Sequence, residues 1–158
     1  MSRVPITKEG EMLLKERLTN LKFVERPKIS EAIAEARAHG DLKENAEYHA
    51  AREEQGLNEA RIRELEEVLS ISQVVEYTTM GVEDRVIFGS TVTIKDLESE
   101  EIKTYQIVGD AEADIENNTI SFTTPMARSL IKKELGEFVE VETPGGLKEY
   151  EITDIKLV

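Results

Sequence analysis

The 158 residues fit one domain of average size or two small ones, and the absence of cysteine excludes disulfides, thiolate zinc sites and thiol catalysis and suits a reducing compartment. With 20 Lys plus Arg against 33 Asp plus Glu, the net charge of −13 repels the phosphates of free nucleic acid, so any nucleic-acid work is expected to depend on a partner. No apolar run approaches the roughly 20 residues of a membrane span, and MSRVPITKEG lacks the apolar core of a signal peptide, so a cytoplasmic protein without membrane association is expected.

Between residues 8 and 75 the only proline is Pro27. Leu14, Leu18 and Leu21, then Ile29, Ile33 and Ala36, recur at steps of three and four, as one face of an amphipathic helix requires. The seam slips between the two sets, and Pro27 in that slip removes a backbone donor, which predicts a kink near Arg26. A second stripe, Tyr48, Ala51, Gln55, Asn58, Ile62, Leu65, Leu69 and Ser72, keeps coiled-coil spacing. A short connection at residues 39–43 makes the two helices an antiparallel hairpin. At 1.5 Å per residue, about 32 helical residues make an arm of roughly 48 Å, long enough to reach a distant site. Gln55 and Asn58 on the seam set register or admit water, and exposed Leu13 or Phe23 are the candidates for self-association.

The arm occupies residues 1–76, with an acidic tip at 40–44. There HGDLKENAEYHAAREEQG, His39 to Gly56, holds a glycine and two carboxylates three positions apart, Asp41 and Glu44. Asp41 as N-cap and Glu44 three residues on would close a capping box, a sufficient account of a helix start. The same pair displayed on a turn offers hard oxygen ligands to Mg²⁺, which two carboxylates hold only weakly and a second macromolecule would complete. One acid can cap while the other binds metal, so both readings stand. Arg37, Lys43 and Arg52 bracket the tip, suited to an RNA phosphate or to solvated helix pairs. Tyr48 reads as packing, and His39 and His49, ten residues apart, as surface residues.

A polar segment at 77–84 reads as a linker and residues 85–158 as a second domain. RVIFGSTVTI, KTYQIV, NTISFT, EFVEV and KEYEITDIKLV have strand composition, PGG suits a tight turn, and ARSLIKKELG reads as a short helix stopped by Gly136. The class is therefore α+β, a helical hairpin followed by an antiparallel β-sheet domain with a short helix. Asp110, Glu112, Asp114 and Glu116 alternate as in a calcium loop, but Ile115 stands where that loop needs glycine, so a surface loop is expected.

The run RPKISEAIAEARAHGDLKENAEYHAAREEQG, Arg26 to Gly56, closely resembles the signature of the Gre family of bacterial transcript-cleavage factors, GreA and GreB. The similarity continues through Arg85 to Ile94, Tyr105 to Ile115, Thr124 to Glu137 and Val141 to Ile152, essentially the whole chain. The resemblance implies an antiparallel coiled coil, an FKBP-like second domain, and binding to bacterial RNA polymerase with the coiled coil in the secondary channel. In that family the tip acids, matched by Asp41 and Glu44, help the polymerase hold its second Mg²⁺ and position a water against the 3′ end of backtracked RNA.

The resemblance further matches the family's basic patch to Arg37 and Arg52, a modest patch of the GreA type. It also matches the loop that docks on the polymerase rim to Thr124 and Pro125, which locally read as a helix N-cap and first residue. The factor is then no enzyme itself but completes the polymerase's two-metal cleavage site, working as a monomer. The alternative is a channel-binding regulator of the same architecture that obstructs without cleaving. A bare coiled-coil scaffold leaves the acid-bearing turn and the second domain unexplained. A prolyl isomerase is disfavoured because the second domain has no Trp.

Overall fold

The computed structural model describes residues 3–41, 45–79 and 84–157. In chain order these form β1 (Val4–Ile6), α1 (Lys8–Asn20), a π-helical turn (Leu21–Glu25), α2 (Arg26–Ala38), α3 (Ala46–Ile71), β2 (Ser72–Val74), β3 (Thr91–Asp96), β4 (Ile102–Val108), β5 (Thr119–Ser121), α4 (Pro125–Leu130), β6 (Phe138–Thr143) and β7 (Gly146–Lys156). The chain divides into two compact units, Met12–Ile71 and a second made of Met1–Glu11 with Ser72–Val158.

In the helical unit, α2 and α3 pack as the expected hairpin. Every residue of the α3 stripe from Tyr48 to Ser72 is buried or half-buried, while Arg52, Glu53, Glu54, Arg61, Arg63 and Glu64 face solvent. On the other side Leu14, Ile29, Ile33 and Ala36 are buried. A strict heptad carries Leu21 to position 28, yet the buried residue is Ile29, one further along. The π-helical turn supplies that extra residue. Its last N–H, from Arg26, reaches back five residues to the Leu21 carbonyl, and backbone dihedrals stay helical on both sides, φ −61° at Asn20 and −58° at Arg26. The irregularity near Arg26 is therefore a widened turn directly before it. Pro27 has no N–H to offer Phe23, four residues earlier, and its ring crowds that carbonyl in a regular helix; the wider turn relieves both and re-registers the seam.

Two polar fasteners hold this stretch to α3. Asn58, 2% exposed, donates from Nδ2 to the Leu21 carbonyl at 3.2 Å, inside the π-helical turn. Arg26 meets Glu59 with two hydrogen bonds, Nε to Oε1 at 2.8 Å and Nη2 to Oε2 at 3.0 Å. That geometry holds the Glu59 carboxyl below its ordinary range and raises Arg26.

The second unit contains a two-stranded parallel pair, β1 with β2, in register Val4 to Ser72 and Ile6 to Val74. Its main sheet has the order β5-β4-β3-β7-β6. Alternation drives burial: β3 hides Val92, Ile94 and Asp96, and β6 hides Val139 and Val141. With Ile107, Ile152, Ile155 and Ala127 and Leu130 of α4 these form one dry cluster, several members at 0% exposure. The sheet is mixed rather than wholly antiparallel, because β5 runs parallel to β4. The connection from Gly109 to Asn118 carries the chain back along the sheet, so the next strand restarts in the same direction instead of returning by a hairpin.

Two boundaries also differ from expectation. The run RVIFGSTVTI is not extended throughout: β3 begins only at Thr91, because Ile87 N–H turns to Ser90 Oγ at 2.9 Å and Gly89 takes φ +90°. Gly89 lies against the Tyr77 ring, where a Cβ would collide. Tyr77, in the segment read as a linker, is 4% exposed, and its hydroxyl accepts from Gln106 Nε2 at 3.1 Å. Burial raises its phenol pKa, with the Glu9 charge adding to the effect. The helix of ARSLIKKELG ends at Leu130, well before Gly136, because Lys132 and Lys133 exchange backbone hydrogen bonds with Val86 at 2.9 and 2.8 Å.

Candidate functional site at the hairpin tip

Helix α2 ends where His39 N–H bonds the Ala36 carbonyl at 3.2 Å and Gly40 N–H the Arg37 carbonyl at 3.4 Å. Gly40 has φ +116°, a region costly for any residue with a Cβ, and nothing lies within 4 Å of where that Cβ would be. The glycine is thus required by the backbone path and not by space. It turns the chain out of α2 and presents Asp41, which is exposed, immediately afterwards. Glu44 and Lys43 lie outside the described residues.

The expected capping box of Asp41 and Glu44 falls in part outside the described residues, and a separate cap stands directly before α3. The helix begins at Ala46, and its cap is Asn45, whose Oδ1 accepts from Tyr48 N–H at 3.0 Å. The same side chain donates from Nδ2 to the Ala36 carbonyl at 2.5 Å. Asn45 was missed in the sequence because Asp41-x-x-Glu44 offers a complete capping pattern a few residues earlier; asparagine is an equally good cap, and its position directly before Ala46 was the available signal.

Asp41, His39, Asn45, Ala46 and Glu47 line one open hollow at the tip. Glu47 Oε2 lies 4.0 Å from His39 Nε2, with both side chains exposed. Among the described residues no three His, Cys, Asp or Glu converge as a metal-binding group. The donor chemistry of Asp41, an exposed carboxylate on a sharp turn, fits a hard cation with oxygen preference as part of a site, not as a whole one.

Of the basic residues, Arg37 stacks its guanidinium over the Tyr48 ring, 5.8 Å from the centroid, which holds that cation beside the tip. Tyr48 is half-buried on the seam and meets His49 edge-on at 5.6 Å. Arg52 lies one turn further along α3, donating to Gln55 Oε1 at 3.1 Å. Arg37 and Arg52 are both exposed and both belong to the tip end of the hairpin.

In the second unit Thr124 and Pro125 open α4: Thr124 Oγ1 accepts from Ala127 N–H at 3.3 Å, and Pro125 occupies the first turn. With Tyr105, Ile115, Met126, Val141 and Pro144 they line an apolar hollow of about 300 Å³. The alternating acids nearby have separate local duties. Asp114 accepts from Glu116 N–H at 3.1 Å and Asn117 Nδ2 at 2.7 Å, and Glu112 accepts from Gly109 N–H at 2.9 Å and Thr7 N–H at 2.8 Å. They form a surface loop and an anchor for the first turn of α1. Among the described residues no helix is long and apolar enough to cross a membrane.

Residues 4–74 match the family profile described as "Transcription elongation factor, N-terminal", and residues 81–157 match "Transcription elongation factor, GreA/GreB, C-term". The chain is 57% identical to a transcription elongation factor GreA of Legionella pneumophila (strain Corby) over 158 residues, 100% of this chain and 99% of that one. It is 51% identical to the GreA of Neisseria meningitidis serogroup A over 158 residues, 100% of both chains. Among solved structures, the GreA factor homolog 1 of Thermus thermophilus is 28% identical, with 98% of this chain and 99% of that chain covered and a TM-score of 0.44.

Proposed function

The chain belongs to the GreA/GreB family of transcription elongation factors, and from that premise we propose that it binds bacterial RNA polymerase, inserts its hairpin into the secondary channel and stimulates the polymerase's Mg²⁺-dependent cleavage of backtracked RNA. It acts as a cofactor that completes the polymerase's site, not as a free-standing nuclease. The observation that carries this reading is the exposed Asp41 placed directly after the turn glycine Gly40 at the tip end of the hairpin.

Asp41, with Glu44, is the proposed pair of tip ligands for a Mg²⁺ shared with the polymerase. Such an ion, in a two-metal site, supports the attacking water and the leaving 3′-oxygen. The chain's own residues do the positioning. Gly40 aims the carboxylate, and Arg37 and Arg52 offset its repulsion of the RNA phosphates at the 3′ end, with Arg37 steadied by Tyr48. Thr124 and Pro125, beside the apolar hollow of the sheet unit, are the proposed contact with the polymerase rim. The hairpin buries its own seam, which supports a monomeric working form, and the net charge of −13 supports weak or no binding to free nucleic acid.

The test uses artificially backtracked bacterial elongation complexes with 3′-labelled RNA. Rapid release of short labelled fragments with the wild-type chain, and loss of that acceleration in Asp41→Asn with polymerase binding retained, is the expected result. Binding without acceleration by the wild type overturns it in favour of a non-cleaving channel regulator.

A further inference from the structure

We propose that Asn45 is a positioning residue for the tip: its single carboxamide staples the end of α2 to the start of α3 and thereby fixes where Asp41 is held. This rests on the reading of Asp41 as a metal-holding carboxylate.

The eight residues between Ala36 and Asn45 include His39, Gly40 and Asp41. Its closure relies on a side chain that must donate and accept at once. Nδ2 donates to the Ala36 carbonyl at 2.5 Å, and Oδ1 accepts from Tyr48 N–H at 3.0 Å. Ala36 is 2% exposed and sits on the seam, so the anchor point is a fixed part of the hairpin. Its carbonyl also accepts from His39 N–H at 3.2 Å, which joins the α2 end, the turn and the α3 start in one hydrogen-bonded unit. Tying the ends of a short loop restricts the conformations open to the residues inside it. Asn45 is half-buried, so both bonds are partly shielded from solvent.

Capping alone does not need asparagine. Serine and aspartate cap a helix as well, but neither supplies the amide donor to Ala36, and aspartate sets a negative charge against that carbonyl and the negative end of α2. Asn45→Ser and Asn45→Asp therefore separate the cap from the staple. A misplacement on the order of 1 Å at a catalytic constellation lowers rate by about 100-fold.

The experiment measures single-turnover cleavage in backtracked complexes across factor concentration, for wild type, Asn45→Ser, Asn45→Asp and Asp41→Asn, with the melting temperature of each. For both Asn45 variants the maximal rate is expected to fall by about 10- to 100-fold, while the half-saturating concentration and the melting temperature stay near wild type. A purely structural role moves melting and half-saturation together and leaves the maximal rate. With Asp41→Asn inactive, an Asn45→Ser that cleaves at the wild-type maximal rate, or loses activity only through weaker binding or lower melting, overturns the staple and leaves the tip reading intact. Wild-type cleavage by Asp41→Asn overturns both.

Discussion

The two units of this chain are held together in different ways. The sheet unit buries a continuous dry cluster in which Val86, Val92, Ile94, Ile107, Leu130 and Ile152 reach 0% exposure. The hairpin has a thin seam whose α3 side buries only Asn58 and Ile62 fully, and it is tied by a few polar contacts: Asn58 to Leu21, Asn45 to Ala36, and the paired bonds of Arg26 to Glu59. A cluster of dispersive contacts tolerates small shifts and supplies stability; a set of directional bonds supplies position. Changes in the sheet unit should therefore be read in unfolding free energy, and changes in the hairpin mostly in activity.

The largest stability effect is expected from Ile152→Ala, which empties a site in the middle of the cluster and costs about 2–5 kcal/mol in urea unfolding. The same truncation at Ile62 breaks the comparison if it costs more, since the seam offers that side chain fewer apolar neighbours. Gly89→Ala comes next, at about 1–3 kcal/mol, because alanine at φ +90° is strained and its Cβ meets the Tyr77 ring. Asn58→Ala removes the side-chain donor to Leu21 and is expected to cost about 1 kcal/mol, with the larger consequence in maximal cleavage rate because the π-helical turn loses its tie to α3.

Asp96 sharpens the comparison through pH. Its carboxylate accepts from Glu98 N–H at 2.9 Å and Ser99 N–H at 3.3 Å, which lowers its pKa, with Lys148 adding to the effect. A lowered folded pKa means the stabilisation is complete above the unfolded value of about 3.9 and is lost as pH falls through the folded one. The deficit of Asp96→Ala relative to wild type, measured by thermal unfolding, should thus be full at pH 6 and shrink at acid pH. The smallest effect is Arg26→Ala: the pair with Glu59 is bidentate but exposed, so the melting temperature should stay close to wild type.

What the sequence conveyed follows the same division. The α3 stripe was readable residue by residue because a helix against one partner has one period. The slip between Leu21 and Ile29 was visible too, but its resolution as a widened turn depends on the fixed register of α3 opposite, which local pattern does not carry. The direction of β5 depended on the path of a loop, and the early end of α4 on Val86, distant in sequence, claiming the backbone of Lys132 and Lys133. At the tip the turn at Gly40 was legible from its glycine, whereas Asn45 was concealed by a neighbouring pattern that satisfies the same rule.

The central claim, that Asp41 shares a metal with the polymerase, is tested most directly by titrating Mg²⁺ in backtracked complexes with saturating factor. Wild type should lower the Mg²⁺ concentration that gives half-maximal cleavage relative to polymerase alone, and Asp41→Asn, bound equally well, should return it to the value without factor. An identical Mg²⁺ dependence for wild type and Asp41→Asn would contradict the account.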